Sequence, residues 1–245
     1  MNANDTESLR TCCQRYQSGE WRSTIFRDLV VGSIRRFGAD AVVLDIGCGG
    51  GFDGDAALQE SIAQEAGRYI GIEPDPHIAA APHFGELHNC AFAQAPLRSG
   101  SIHVAFAVFV LEHVADPGVF WQKVHDVLVP GGVFWGFTVD TRHFFSAGSR
   151  LIERLGIKDW YLTRLRGRRG TQRYENYPCY YRANTPRQIA RYTRRFRRCD
   201  AVSIHRVGQL DYYFPRFLRP IARLLDRLVL ASHWCGSVLV VRLEK

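Results

Sequence analysis

Residues 42–54 read VVLDIGCGGGFDG, a hydrophobic run that passes directly into a glycine-rich stretch. Asp45 ends the run, and four glycines follow it: Gly47, Gly49, Gly50 and Gly51. The run predicts a buried strand, and glycines after a strand let the backbone approach a ligand that any side chain would block. The N-terminus of the next helix is then expected to offer free N–H groups to an anionic part of that ligand.

The spacing of the glycines argues against a dinucleotide-binding oxidoreductase. The dinucleotide fingerprint has a third glycine three positions after the second, and counting from Gly49 that position holds Phe52. The next hydrophobic run, RYIGIEPD, predicts a second strand ending at Glu73, where a carboxylate can accept hydrogen bonds from both ribose hydroxyls of a nucleoside. The alternative for Glu73 is a surface residue that opens a Glu-Pro-Asp-Pro turn.

With two further segments, these motifs resemble the class I, Rossmann-like methyltransferases that depend on S-adenosylmethionine (SAM), in the branch carrying LDIGCG and LEHV. VVLDIGCGGG corresponds to the cofactor turn, GIEPD to the ribose carboxylate, SIHVAFAVFVLEHVADP to the fourth strand and its exit, and VLVPGGVFWGFT to the fifth strand and the turn before it. The resemblance implies an α/β fold with a doubly wound, mostly parallel seven-stranded sheet and helices on both faces. It also implies SAM as cofactor, S-adenosylhomocysteine as product and no metal.

Carried over to this chain, the family motifs predict a set of cofactor-binding residues. They are Asp45, Gly47, Cys48, Gly49, Gly51, Glu73, Pro74, Ala91, Phe92, Val108, Phe109 and His113. Two positions depart from the family pattern. Ile102-His103 replaces the usual Phe-Asp at the start of the fourth strand, and Ala91-Phe92 stands where many relatives have an acidic residue facing the adenine. We therefore expect backbone groups and apolar contact with Phe92 to hold the adenine.

The periodicity of the chain, together with the functions that the resemblance implies, predicts four parts. Residues 1–39 form an N-terminal helical cover, with a helix in EWRSTIFRDLVVGSIRRFG, and residues 40–140 form the SAM-binding core. Residues 141–185, after the fifth strand, form an insertion that recognises the substrate. Residues 186–245 complete the sheet; they open with a helix capped by Asn184 or Thr185 and contain an amphipathic helical insertion.

Composition bounds the class of protein. A chain of 245 residues with near-average hydrophobicity can bury the core of one domain, and without a signal-peptide-like or membrane-spanning run we expect it to be cytoplasmic. Seven cysteines without a CxxC pair favour reduced thiols over a zinc or iron–sulfur site. The net charge of +8 is concentrated in the arginine-rich segment 164–206. Either a monomer or a homodimer is compatible with the sequence.

The segment 216–234, RFLRPIARLLDRLVLASHW, predicts a basic amphipathic helix. Its apolar side carries Leu218, Ile221, Leu224, Leu225 and Leu228, and its other side carries Arg216, Arg219, Arg223 and Arg227. Two interpretations stay open. The helix either packs on its own domain, or it contacts a membrane surface or covers a lipid-linked substrate.

Methyl transfer from a sulfonium is an in-line displacement, in which alignment supplies much of the rate and a hydroxyl acceptor gains from a general base. Two histidines are candidate bases: His113 at the exit of the fourth strand and His143 at the mouth of the insertion. The candidate substrate residues combine aromatic rings with guanidinium groups suited to an acceptor that carries an anionic group. They are Arg142, Tyr177, Tyr180, Tyr181 and Arg182.

The leading functional hypothesis is O-methylation of a small molecule or glycan precursor, with methylation of an amine as a near variant. An RNA or other nucleic-acid methyltransferase is a second hypothesis, because arginines and aromatics alternate in the insertion. Against it, amino-methylating enzymes end the fourth strand with Asn or Asp before Pro-Pro-aromatic, where this chain has AVFVLEHV. A third hypothesis is a SAM-binding scaffold or partner subunit without catalysis.

Overall fold

The computed structural model describes residues 3–78, 81–146, 148, 156, 178–209, 211, 214–232 and 235–245. Within these residues, seven strands form one sheet. The strands are β1 (Val42–Ile46), β2 (Arg68–Ile72), β3 (Glu86–His88), β4 (Ile102–Val108), β5 (Leu128–Val139), β6 (Arg198–Ile204) and β7 (Val238–Glu244). They lie in the order β3-β2-β1-β4-β5-β7-β6, and β7 alone among them runs in the direction opposite to the other six. The predicted doubly wound, mostly parallel sheet is confirmed.

Helices cover both faces of this sheet. They are α1 (Ala3–Gln17), α2 (Arg22–Phe37), α3 (Ala56–Ala63), α4 (Pro117–Val127), α5 (Pro186–Tyr192) and α6 (Arg219–Ala231). On one face α2 buries Phe26, which stacks on Phe137 of β5 with ring centroids 4.0 Å apart. On the other face α4 buries Trp121, which packs edge-on against Phe134 of β5. Because β5 contributes to both layers, it lies at the centre of the core.

The residues at which the helices begin and end can be compared with the bounds expected from the sequence. The predicted helix within residues 20–38 is present as α2. α1 falls within the predicted helical cover, residues 1–39, but its bounds were not predicted because its sequence is polar apart from a few positions, of which Leu9, Cys12 and Tyr16 are buried. Thr185, rather than Asn184, caps α5, since its hydroxyl accepts from the Gln188 N–H at 3.2 Å. α5 is also shorter than its pattern predicted.

The unusual His103 has a structural partner. Its Nδ1 accepts a hydrogen bond of 2.9 Å from the Val42 N–H, and its ring lies 5.2 Å from that of Phe37. The N–H of Val42 stands at the first residue of β1, where a strand otherwise leaves its backbone groups to water or to a side chain. His103 therefore connects the beginnings of β4 and β1 and the end of α2.

Most of the residues predicted to bind cofactor or substrate lie at the edge of the sheet where the parallel strands end. Ligands of open α/β sheets bind in the crevice beyond the carboxyl ends of the strands. Most of the predicted insertion, residues 141–185, lies outside the described residues, and Tyr177 lies there too.

Candidate active site

The glycine turn after β1 is tied to the end of β2. The N–H groups of Gly47 and Cys48 both donate to the carbonyl oxygen of Ile72, at 2.8 and 3.1 Å. Gly47 has φ +72°, and a Cβ there would lie 2.5 Å from Cγ2 of Val110, so both the backbone angle and the neighbouring side chain require glycine. The predicted turn is therefore present, and it links β1 to the end of β2.

Glu73 lies against this turn. The residue directly follows β2 and is 6% exposed; its Oε2 accepts from the Gly49 N–H at 2.9 Å and its Oε1 from the Asp75 N–H at 3.0 Å. A carboxylate has about four acceptor positions, so two hydrogen bonds leave room for hydroxyl donors. The structure thus brings Gly49 and Glu73 together, and the ribose role of Glu73 stays a prediction.

Asp45 supports the turn from inside the protein. Its Oδ2 accepts hydrogen bonds of 2.8 Å from Gln59 Nε2 and from the Tyr69 hydroxyl, and Gln59 also donates to the Cys48 carbonyl at 2.9 Å. Burial raises the pKa of Asp45 to about 7, although both hydrogen bonds act in the opposite direction. The carboxyl group is therefore held in surroundings that favour its neutral form.

This raised pKa predicts that the ligand-free protein loses stability as pH rises. The folded-state pKa of about 7 exceeds the ordinary 3.8, so the stabilisation is complete below pH 3.8 and lost once pH passes about 7. At about 1.4 kcal/mol per pKa unit, the effect is roughly 4 kcal/mol at most. Unfolding of the wild type should be measured from about pH 5 to about pH 8 alongside Asp45→Asn, whose profile should be flatter. Equal slopes for the two proteins would contradict the assignment.

The beginning of α3 differs from the sequence-based expectation. The carboxylate of Asp55 accepts from the N–H groups of Ala57 and Leu58, at 2.9 and 3.0 Å, so these two donors are not left for an anionic ligand. The expectation of a free helix N-terminus is wrong at these two positions. The reason is a tight turn at residues 52–55, closed by backbone hydrogen bonds between Phe52 and Asp55, which separates the glycines from the helix.

Sequence reasoning missed a cation beside the turn. Arg22, at the first position of α2, forms hydrogen bonds of 2.8 and 3.0 Å with the carboxylate of Asp53, and its guanidinium lies 4.5 Å from the ring centroid of Phe109. Phe109 directly follows β4 and has φ +54°. The only sequence signal was a basic residue at the start of a helix expected to cover the cofactor.

A second missed residue is Glu112 in the LEHV motif. Its Oε2 accepts from the Thr138 hydroxyl at 2.7 Å, and that hydroxyl accepts from Asn184 Nδ2 at 2.7 Å. All three side chains are buried, and burial raises the pKa of Glu112. The chain of hydrogen bonds joins the exits of β4 and β5 to the segment before α5. LEHV itself was the available signal, but it directed attention to the histidine.

His113 lies at the same exit and contacts the last part of the predicted insertion, residues 141–185. Its Nδ1 is 3.1 Å from the carbonyl oxygen of Pro178 and 3.6 Å from Sγ of Cys179. Burial opposes protonation of this ring, but the contact with Cys179 and the nearby Glu112 outweigh it and raise the pKa of His113 above 6.5. The role of His113 as a base or in cofactor binding stays a prediction.

Three candidate substrate residues meet at this point. The backbone N–H groups of Tyr180 and Tyr181 donate to the carbonyl oxygen of Glu112 at 2.8 and 3.1 Å. Arg182 donates to the Ala115 carbonyl at 2.7 Å, and its guanidinium lies 5.4 Å from the ring centroid of Tyr180. The structure therefore brings these three residues to the exit of β4, beside His113.

His143 and Arg142 have different surroundings. Arg142 pairs with Asp140 through hydrogen bonds of 3.0 and 2.6 Å. His143 is 1% exposed, its Nδ1 accepts from the Phe145 N–H at 3.2 Å, and its ring centroid lies 4.9 Å from that of His205. Burial, together with His205, lowers the pKa of His143 to about 4. A base at this position would be neutral over the whole physiological range.

The remaining predicted cofactor residues have varied exposure. Cys48 is buried, and burial raises the pKa of its thiol, in agreement with a small packing residue rather than a nucleophile. Phe92 is 7% exposed and packs edge-on against Phe120, so most of its ring belongs to the core. Pro74 and Ala91 are exposed, and Val108 is partly exposed. Their contacts with a cofactor stay predictions.

Comparisons with known proteins agree with the geometry. The sequence profile of a family described as "Methyltransferase domain" matches residues 44–134. The chain is 31% identical over 128 residues to a ubiquinone biosynthesis O-methyltransferase of Azorhizobium caulinodans, covering 44% of this chain and 46% of the relative. It is 34% identical over 96 residues to a probable S-adenosylmethionine-dependent methyltransferase of Mycolicibacterium smegmatis, covering 38% and 35%. The alignments thus span about half the length of these relatives or less.

A solved structure extends the likeness beyond the core. The structure of a SAM-dependent methyltransferase from Archaeoglobus fulgidus aligns with a TM-score of 0.52 at 12% identity, over 95% of this chain and 97% of that one. At this identity the match concerns the fold.

Proposed function

We infer the function of the chain from its membership of the class I, Rossmann-like methyltransferases that depend on SAM. We propose that it transfers the methyl group of SAM to a hydroxyl group of a small molecule or of a glycan or natural-product precursor. One observation carries the proposal: the carboxylate of Glu73 lies against the Gly49 N–H at the ends of two adjacent parallel strands. There it can accept both ribose hydroxyls while the turn accommodates the rest of the nucleoside.

Two observations support a hydroxyl group as the methyl acceptor. A relative from A. caulinodans is named as an O-methyltransferase, and two histidines are candidates to take the hydroxyl proton. The acceptor oxygen attacks the methyl carbon as the carbon–sulfur bond breaks, the electron pair stays on sulfur, and S-adenosylhomocysteine leaves while the proton passes to the base. This displacement needs alignment and exclusion of water, but no metal.

The residues divide between cofactor and acceptor. We assign Gly47, Gly49 and Glu73 to the nucleoside, and to the methionine carboxylate we assign Arg22, a cation beside the turn that also pairs with Asp53. Tyr180 and Arg182 at the exit of β4 face the acceptor, for which an aromatic ring and an anionic group are the matching chemistry.

Calorimetric titration tests the cofactor assignment before any acceptor is known. The purified protein should bind SAM and S-adenosylhomocysteine and should not bind NADH. Release of S-adenosylhomocysteine with a panel of phenolic and sugar hydroxyl compounds then tests the reaction. Binding of NADH but not SAM would reject the proposal, and SAM binding without turnover on any acceptor would favour a scaffold.

The pH dependence of kcat/KM distinguishes the two candidate bases. A base must be deprotonated to act, so activity that depends on His113 falls when pH drops below a value higher than 6.5, whereas activity that depends on His143 persists to about pH 4. We expect the first profile, because His113 lies beside the candidate substrate residues. Replacing the true base with alanine should cost about a hundred-fold to ten-thousand-fold in rate. If His113→Ala and His143→Ala both keep the wild-type rate, general-base catalysis by either residue is wrong.

A further inference from the structure

The helix α6 exposes the apolar side that its sequence predicts. We define the leucine stripe as five side chains, one in the turn before α6 and four on the helix. They are Phe217, 76% exposed, Ile221, 57%, Leu224, 54%, Leu225, 40%, and Leu228, 56%. Large exposed apolar groups are ordinary when scattered, but a contiguous row on one helix marks a contact surface.

A different side of α6 holds it to the protein. Ala222, Asp226 and Val229 are buried, and they follow one another at helical spacing. The Asp226 carboxylate accepts from the Gly208 N–H at 2.7 Å and lies 3.1 Å from Nε2 of His205. The stripe is therefore turned away from these contacts, and among the described residues α6 is held by this buried side rather than by the leucines of the stripe.

Arginines occupy the third side of the helix. Arg219, Arg223 and Arg227 recur every four residues and so form one row, and Arg216 stands in the preceding turn. Arg223 pairs with Asp211. Arg216 and Arg227 are exposed, and within the described residues no carboxylate pairs with either of them. An apolar stripe bordered by cations is complementary to a surface that is apolar beneath and anionic above.

We propose that α6 docks this protein on a membrane surface that contains anionic phospholipids. The leucine stripe enters the boundary between headgroups and acyl chains, and Arg216 and Arg227 lie at the level of the phosphates. The proposed contact is a peripheral one, with α6 lying in the plane of the surface. None of the described helices is long and apolar enough to cross a bilayer. The net charge of +8 adds attraction to a negatively charged surface.

A second copy of the chain fits this face less well. Pairing two stripes would bring the arginines of both copies close together, where like charges repel. The stripe also contributes five side chains, whereas a stable protein interface usually engages about 20–30 residues on each side. A lipid surface supplies the opposite charge and needs no matching shape.

The proposal is tested by co-sedimentation of the full chain with vesicles. We expect binding to vesicles of phosphatidylcholine mixed with phosphatidylglycerol, and much weaker binding to phosphatidylcholine alone. The double variant Leu224→Ser/Leu228→Ser should weaken binding by about a hundredfold, since each buried leucine contributes roughly tenfold. The double variant Arg216→Glu/Arg227→Glu should lose the preference for anionic vesicles, and added salt should do the same to the wild type.

Control variants separate docking from folding. Val119, on α4, is 50% exposed, so Val119→Ser removes a comparable apolar surface elsewhere and should bind vesicles as the wild type does. All variants should keep the wild-type thermal unfolding and SAM affinity. Absence of wild-type binding to anionic vesicles, or equal binding to both kinds, would overturn the proposal. So would a self-association of the wild type that the serine variant abolishes while vesicle binding is unaffected.

Discussion

Replacing Glu73 with alanine is expected to weaken SAM binding by about a hundredfold or more. Hydrogen bonds to a charged group contribute about 1.5–3 kcal/mol each, and 1.4 kcal/mol corresponds to a factor of ten, so losing the two ribose contacts that we propose for Glu73 accounts for this size. The side chain is 6% exposed, and water cannot easily replace it as an acceptor. Isothermal titration calorimetry of the two proteins measures the change.

The same substitution also releases the glycine turn. Glu73 accepts the N–H groups of Gly49 and Asp75, at 2.9 and 3.0 Å, and alanine leaves both without this partner. Glu73→Gln keeps one oxygen acceptor, so we expect a loss of only about tenfold. Glu65→Gln is the matched control, since Glu65 pairs with Arg35 at the surface and such pairs contribute little. Wild-type affinity in Glu73→Ala would remove Glu73 from the cofactor site.

Gly51→Ala is expected to destabilise the protein by about 3 kcal/mol and to abolish SAM binding. Gly51 has φ +117°, which side chains rarely adopt, and a Cβ would lie 2.7 Å from both the backbone nitrogen of Ala56 and the carbonyl carbon of Asp55. These neighbours are backbone atoms at the start of α3, so the turn itself must move. Urea unfolding followed by circular dichroism measures the loss of stability.

Gly54→Ala is the control for this substitution. Gly54 stands in the same turn with φ +81°, but a Cβ there meets no atom within 4 Å. Its replacement should cost only the backbone strain, about 1 kcal/mol, and should leave SAM binding in place. If the two variants were equally stable, the close approach at Gly51 would not control the turn.

Short-range patterns account for what could be predicted. The strand–glycine turn at 42–54, the acidic residue that ends β2 and the amphipathic α2 each depend on residues that are close in sequence, because strand and helix periodicity and turn conformation are local properties. The resemblance of four ordered motifs then implied the topology of the sheet. The bounds of α1 could not be predicted, because its few buried side chains stand in a polar sequence.

The features that the sequence did not predict depend on contacts between residues that are far apart in the chain. Arg22 meets Asp53, Asn184 reaches Glu112 through Thr138, and α6 attaches by Asp226 to His205. No local pattern encodes these pairs, since each depends on how separate elements pack.

The sequence was sufficient for the methyltransferase resemblance, the mostly parallel character of the sheet that it implies and the glycine turn after β1, because motifs, local backbone preferences and apolar periodicity depend on neighbouring residues. The order of the strands came from the tertiary structure. The amphipathic character of α6 was also readable from its leucines and arginines. The sequence did not show which side of that helix faces the protein. Asp226 is buried and Leu224 is exposed because Asp226 makes polar contacts with Gly208 and His205. Packing between distant elements, through a few buried hydrogen bonds, selected the exposed face.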